Sequence, residues 1–217
     1  MKNWEVITKR CLDLFVATTG LILASPLFLL ITIAIRMTSS GRAIFKQVRL
    51  GKNVIPFTLY KFRTMVENAP DVRNADGSAF NGEDDVRVTR IGKFLRTTSL
   101  DELPQLFNVL NGTMSLVGPR PDQVDQIKYY TKEEWKKLYA KPGITGLAQI
   151  NGRNSISWSE RKQLDLEYVE QQSLRLDIEI LLRTIPFVLQ RKGIFIADNS
   201  LSEENNERVF NKTLHTL

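Results

Sequence analysis

Apolar positions are distributed unevenly along this chain. They concentrate first in CLDLFVATTGLILASPLFLLITIAI, a run of about 25 residues from Cys11 to Ile35. That length suits a transmembrane helix. It is too long for a cleavable signal peptide, and no small-residue cleavage site follows it. Ser25-Pro26 lies at its middle, where proline removes a backbone donor and crowds the preceding turn, so a kink is expected. Basic residues flank both ends: Lys2, Lys9 and Arg10 before, then Arg36, Arg42, Lys46, Arg49 and Lys52 after. Positive residues mark the cytoplasmic side, and a straight span can place only one flank there. A helix-break-helix that enters and leaves by one face places both. Each arm would hold roughly 12 residues, about 18 Å, which reaches the middle of a hydrocarbon core. The two-sided charge therefore favours a re-entrant hairpin over a straight span. A buried core helix of a soluble protein fits the length least well.

Beyond Ala43 the period shortens. AIFKQVRLG and VIPFTLYKFRTM are rich in β-branched and aromatic residues with Gly and Pro punctuation, which predicts short strands or an extended hairpin. Residues 68–85 are polar and glycine-containing and read as a mobile surface loop. The next stretch, to Pro121, alternates helical periodicity with turn signals. YTKEEWKKLYA predicts an amphipathic helix ended by Lys141-Pro142-Gly143, and SWSERKQLDLEYVEQQ a charged one. LDIEILLRTIPFVLQRKG predicts a further amphipathic helix bent by Pro186. The expected class is mostly α with minor β. A membrane segment (1–40) precedes a catalytic α/β domain (41–197) carrying interfacial amphipathic helices, and a polar flexible tail (198–217) follows.

Composition narrows the chemistry. The formal net charge is +6 and the isoelectric point about 9.5, which favours anionic partners: nucleic acid, phosphorylated substrates or an anionic membrane. One cysteine, Cys11, excludes an internal disulfide and any cysteine-based zinc site. One histidine, His215, excludes a histidine-rich metal cluster and disfavours a Ser-His-Asp triad. Catalysis is left to carboxylates, lysines, arginines, hydroxyls or a loosely held divalent ion.

TSLDELPQ, residues 98–105, is the strongest local signal. Pro104 is tolerated only in a first helical turn, so a helix should begin near Ser99 to Asp101. Asp101 and Glu102 would then sit where free amides and the macrodipole stabilise negative charge. An ionised aspartate there could attack phosphorus. Equally, Ser99-x-x-Glu102 is a capping box, and acidic residues are common in first turns. Arg87, Arg90, Lys93 and Arg96 precede this segment, and Arg120 follows it. Such arginines can grip phosphate or merely form a solvated face. Gly118-Pro119-Arg120-Pro121 holds its arginine in a stiff turn. PGITGLAQINGRN offers turn amides for a phosphate, but with the spacing of neither a P-loop nor a dinucleotide fingerprint. Trp4 suits an interfacial anchor, while Trp135 and Trp158 suit a core.

KRCLDLF, the Ser25-Pro26 break, FKQVRLG, YKFRTM, RVTRIGKFLRTTSLDELPQLFNVLNGTMSLVGPRP and KPGITGLAQINGRN occur in this order. Together they resemble the bacterial monotopic phosphoglycosyl transferases over about residues 4 to 195. The nearest form is the short, single-domain one that initiates glycoconjugate assembly. The resemblance implies that Asp101 attacks the β-phosphorus of a UDP-sugar, releasing UMP and retaining a phosphosugar. Polyprenyl (undecaprenyl) phosphate then takes that group in a ping-pong sequence, with Glu102 acting on the acceptor phosphate. It implies Mg²⁺ bridging phosphate oxygens, with Asp101 as its protein ligand. Arg96 and Arg120 would neutralise phosphate, and Lys61, Arg63, Gln149 and Arg153 would bind phosphate or substrate. Ser25 and Pro26 would mark the break of the re-entrant helix. The catalytic domain would face the cytoplasm at the inner leaflet, with downstream glycosyltransferases as further candidate partners and no nucleic acid. Lys141 and Leu147 stand where many relatives have arginine and tryptophan. Competing readings are a nucleotide-sugar glycosyltransferase releasing UDP and a basic membrane-tethered binding module.

Overall fold

The computed structural model describes residues 1–74, 76–191 and 193–194; the tail expected over 198–217 lies outside them. Helix α1, Asn3–Thr38, is continuous over 36 residues with Pro26 inside it. Pro26 cannot donate to the carbonyl four residues back, Ile22. Ser25 replaces that donor: its Oγ bonds the Ile22 carbonyl at 2.8 Å, a local bond that itself tends to bend helices. Only 11 % of the most apolar 18-residue window is buried, and the helix is long and apolar enough to cross a membrane. A core helix of a soluble protein would be mostly covered. Trp4, Phe15, Ile22, Leu23, Leu29, Leu30 and Met37 all face outward.

Both flanks of α1 are nevertheless bonded to the rest of the chain. Near the N-terminus, Lys9 pairs with Asp177 at 2.7 Å and Arg10 donates to the Val109 and Leu110 carbonyls. Asp13 accepts from the Ser115 hydroxyl and the Leu116 amide. At the other end Arg63 donates to the backbone and hydroxyl of Ser39 and to the Ser40 carbonyl. Ile31 and Ile35 pack with Phe62 and Leu95.

The predicted hairpin forms: β1, Ile44–Leu50, pairs antiparallel with β2, Pro56–Phe62. Helix α2, Arg90–Thr97, is capped by the Thr89 hydroxyl. Helix α3, Gln105–Leu110, leads to β3, Ser115–Val117, which pairs in parallel with β4, Gly143–Thr145. Short α4, Leu147–Ile150, precedes α5, Trp158–Gln171, which begins with a complete Ser157–Glu160 capping box. Helix α6, Leu174–Leu189, carries Pro186 inside it and an outward stripe of Ile178, Leu182, Ile185 and Leu189. The main core gathers Phe57, Leu59, Val109, Met114, Leu116, Val117, Tyr168 and Ile180 around Ala17 of α1.

Three expectations need correction. The segment expected to be an amphipathic helix is a 3₁₀ turn, Glu134–Tyr139, with Trp135 exposed rather than in the core. Its Lys137 is drawn inward to Asp122 and Asp165, which regular helical geometry does not provide for. Residues 68–74 and 76–85 are not a merely exposed loop. Val72 and Phe80 are buried together, Arg73 bridges to Ala79, and Asp85 is buried against Arg87. Few apolar residues anchor that stretch, so pattern alone reads it as solvent-facing.

The third correction concerns residues 99–104. No α-helix begins near Ser99; one 3₁₀ turn, Leu100–Glu102, begins there, and α3 starts only at Gln105 after Pro104. Ser99 is left-handed, with φ 57°, and makes no capping bond. Its hydroxyl instead accepts from Arg153 at 3.0 Å. The capping box is therefore not formed.

Candidate active site

The turn Leu100–Glu102 presents Asp101 and Glu102 side by side on the wall of a cleft of about 970 Å³. Lys61, on β2, reaches this pair. Its Nζ lies 2.8 Å from Glu102 Oε1 and 4.0 Å from Asp101 Oδ2. Arg120 approaches the same Glu102 oxygen at 3.8 Å.

The stiff turn predicted for Arg120 has a physical basis in two glycines. A Cβ on Gly118 would sit 2.2 Å from the Lys141 carbonyl oxygen, and one on Gly143 would sit 2.1 Å from the Gly118 nitrogen. Only glycines let these backbones cross. The Arg120 amide then donates to Asp165 at 3.2 Å. Lys137 joins Asp165 to Asp122, so both neighbours of the arginine are tied to one buried ammonium.

The two carboxylates are electrostatically unlike. Burial pushes the Asp101 carboxyl up to about 6, against the opposing pull of Lys61. Burial acts on Glu102 in the same sense, but the Lys61 and Arg120 charges outweigh it and hold that carboxyl at about 2. The pair titrates as a unit, and the split suits two roles. Asp101 is ionised near neutrality yet little hydrogen-bonded, which leaves it available as a nucleophile. Glu102 is a fixed anion. The sequence placed both at a helix N-terminus; the tertiary environment, rather than a macrodipole, sets their charge.

Arg96 hydrogen-bonds Thr64 at 2.9 Å and Asn81 at 2.8 Å, so α2 holds it at the cleft edge. Its near-full burial lowers its pKa, offset in part by Asp101. Arg153 is lowered by burial and supported by Glu102. Gln149 lines the cleft with both amide atoms buried and without partners, an arrangement costing about 1–3 kcal/mol unless something else completes it. Arg63 differs: its terminal nitrogens bond Ser39 and Ser40, so it clamps the end of α1 although it borders the cleft. The structure thus brings Lys61, Arg96, Arg120 and Arg153 to the carboxylate pair and Gln149 to the same cleft. Ser25 and Pro26 lie apart in α1.

Sequence reasoning missed Arg49, Arg161 and Trp158 as cleft residues. ISWSER does hold a tryptophan and an arginine three apart, but that spacing is equally that of an ordinary helix face. Among the described residues, no group of three or more His, Cys, Asp or Glu side chains could hold a metal ion. That donor set suits only an ion that takes most of its ligands from phosphate oxygens and water, as Mg²⁺ does with one or two carboxylates.

Paired carboxylates in a cationic cleft, beside a helix with an uncovered apolar surface, fit an enzyme that handles anionic groups at a membrane. The chain belongs to the bacterial sugar transferase family, whose pattern matches residues 4–191, and it is a transferase of that family. It is 46 % identical over 189 residues to the uncharacterized sugar transferase EpsL of Bacillus subtilis, covering 87 % of this chain and 91 % of that one. It is 43 % identical over 193 residues to a UDP-glucose:undecaprenyl-phosphate glucose-1-phosphate transferase of Caulobacter vibrioides, covering 84 % and 70 %. It is 41 % identical over 198 residues to the undecaprenyl-phosphate galactose phosphotransferase of Salmonella typhimurium, covering 86 % of this chain but 41 % of that enzyme.

Proposed function

We propose that the protein transfers a sugar 1-phosphate from a UDP-sugar to undecaprenyl phosphate, releasing UMP and forming undecaprenyl diphosphate-sugar. The observation that carries this reading is the Asp101–Glu102 pair, one carboxylate raised and one depressed, facing a cleft rich in arginine. Relatives named for this reaction support the substrate classes.

In the first step an Asp101 Oδ attacks the β-phosphorus. The bond to the bridging oxygen breaks, and UMP departs with the electron pair. In the second, an oxygen of the lipid phosphate attacks the same phosphorus and the carboxylate leaves, regenerating Asp101. Lys61 fixes Glu102, which positions the incoming phosphate. Arg96, Arg120 and Arg153 offset the charge on the transferring group. Asp101 and the donor's own phosphate oxygens would hold Mg²⁺, which supplies charge neutralisation when bound.

Helix α1 is read as a re-entrant membrane hairpin bent at Ser25-Pro26, with the catalytic domain on the cytoplasmic side. Supporting this, Lys9, Arg10 and Asp13 at one end and Ser39 and Ser40 at the other are bonded to one folded body. Two flanks held by one body lie on one side of a bilayer. The exposed stripe of α6 would rest in the same interface.

The deciding assay incubates detergent-solubilised protein with Mg²⁺, a panel of UDP-sugars and undecaprenyl phosphate. UMP released in lipid-dependent turnover is the expected product. UDP as the product would make the protein a glycosyltransferase and overturn the reading.

A further inference from the structure

Cationic side chains in the cleft fall into two sets according to what surrounds them. Arg96 and Arg153 interact with Asp101 or Glu102. Arg49 and Arg161 do not; their charged neighbours are Arg120, Asp122 and, more distantly, Asp71, Arg73, Asp76 and Asp165. Arg120 belongs to both sets: it lies 3.8 Å from Glu102, and its charge acts on both Arg49 and Arg161.

The hydrogen bonds of the outer set go to neutral acceptors. Arg49 donates to the Pro121 carbonyl and to Gln47, and Arg161 to Asn154 at 3.3 Å. The Nε of each is buried without a partner, as is Nε1 of Trp158, and all three residues line the cleft. Burial lowers both guanidinium pKa values, that of Arg49 to about 10, and Arg120 adds to the lowering in each. Buried cations whose hydrogen bonds reach no carboxylate are stabilised by an anion placed among them.

We propose that Arg49, Arg161 and Arg120 form a second phosphate position, next to the one at Asp101, that holds the α-phosphate of the nucleotide leaving group. The inference rests on the donor reading above and fixes the direction in which the donor lies. The β-phosphate sits at Asp101 between Arg96 and Arg153. The α-phosphate lies beyond Arg120, and the nucleoside points toward Trp158, Gln123 and Gln126. Arg120 spans both phosphates, where the bridging oxygen gains charge as the bond breaks. Once UMP leaves, the inner position holds the phosphosugar on Asp101, and the acceptor phosphate attacks it in line from the side that UMP has vacated.

The test is calorimetric titration of the full-length protein in detergent with UMP and, by displacement, with uridine, which lacks the phosphate. Arg161→Gln should weaken UMP tenfold or more, the usual consequence of losing a charge-assisted phosphate contact, and leave uridine unchanged. Arg49→Gln should do the same and decides the matter if Arg161→Gln fails to fold. Unchanged UMP affinity, or an equal loss for UMP and uridine, would each overturn the assignment. Failure of the unaltered protein to bind UMP would instead sink the donor reading itself.

Discussion

Two regions of this molecule bury charge, and they do so in opposite ways. Where α1 meets β3 and α6, Lys9 reaches Asp177, Tyr168 donates to that same carboxylate at 2.7 Å, and Asp13 accepts from Ser115 and Leu116. Every charge there has its opposite or its donors. In the cleft, Glu102 is over-supplied with cations, Asp101 is little hydrogen-bonded, and Arg49, Arg161 and Gln149 keep buried atoms without partners. A matched network holds two elements together. An unmatched one has a free-energy deficit that a ligand can fill, so imbalance rather than burial marks the functional site.

The comparison breaks most sharply at Asp101. Asp101→Asn should lower transfer by about a thousandfold or more, as loss of a covalent nucleophile does, with the melting temperature unchanged or slightly raised. Substantial residual turnover would remove the nucleophile assignment. The matched region should respond in the reverse sense. Lys9→Met strands Asp177 and should cost about 3–5 kcal/mol in stability, whereas Lys9→Met with Asp177→Leu should recover most of it. Thermal unfolding of the single and double variants checks this, and a double variant no better than the single would deny that the pair is the cause.

The pH profile sharpens the contrast. Attack needs ionised Asp101, whose carboxyl is raised to about 6. The first half-reaction should therefore be flat above pH 7 and fall about tenfold per unit well below pH 6. A profile flat down to pH 4.5 would place the nucleophile elsewhere. The smallest effect belongs to Ser25 in the middle of α1. Ser25→Ala removes only the bond to the Ile22 carbonyl, about 1 kcal/mol or less, and should leave topology intact. Pro26→Ala restores the backbone donor and should move the N-terminus across the bilayer, read by impermeant labelling of a cysteine placed there. An N-terminus that stays inaccessible would show that docking of Lys9 and Arg10, not proline, sets the topology.

Much of the fold could be read from periodicity because the relevant interactions are local. The apolar length of α1, the β1–β2 hairpin, the charged helix α5 and the amphipathic stripe of α6 each follow from residues within a few positions of one another. The 3₁₀ turn at 134–139 could not be read, because Lys137 answers to carboxylates on two other segments. The site divides in the same way. Asp101, Glu102 and Arg120 stood out in chain order, but the local signal gave the wrong reason for the first two, a helix start that does not form.

The sequence by itself determined which residues could do chemistry, that an anionic partner was expected, and that one helix was apolar enough for a membrane. Only the tertiary structure decided that Lys61 splits the carboxylate pair, that Arg63 clamps α1, and that Arg49 and Arg161 join the cleft. The physical reason is that charge is tuned by whatever lies within a few ångströms in space. For Asp101 that neighbour is Lys61, 40 positions earlier in the chain.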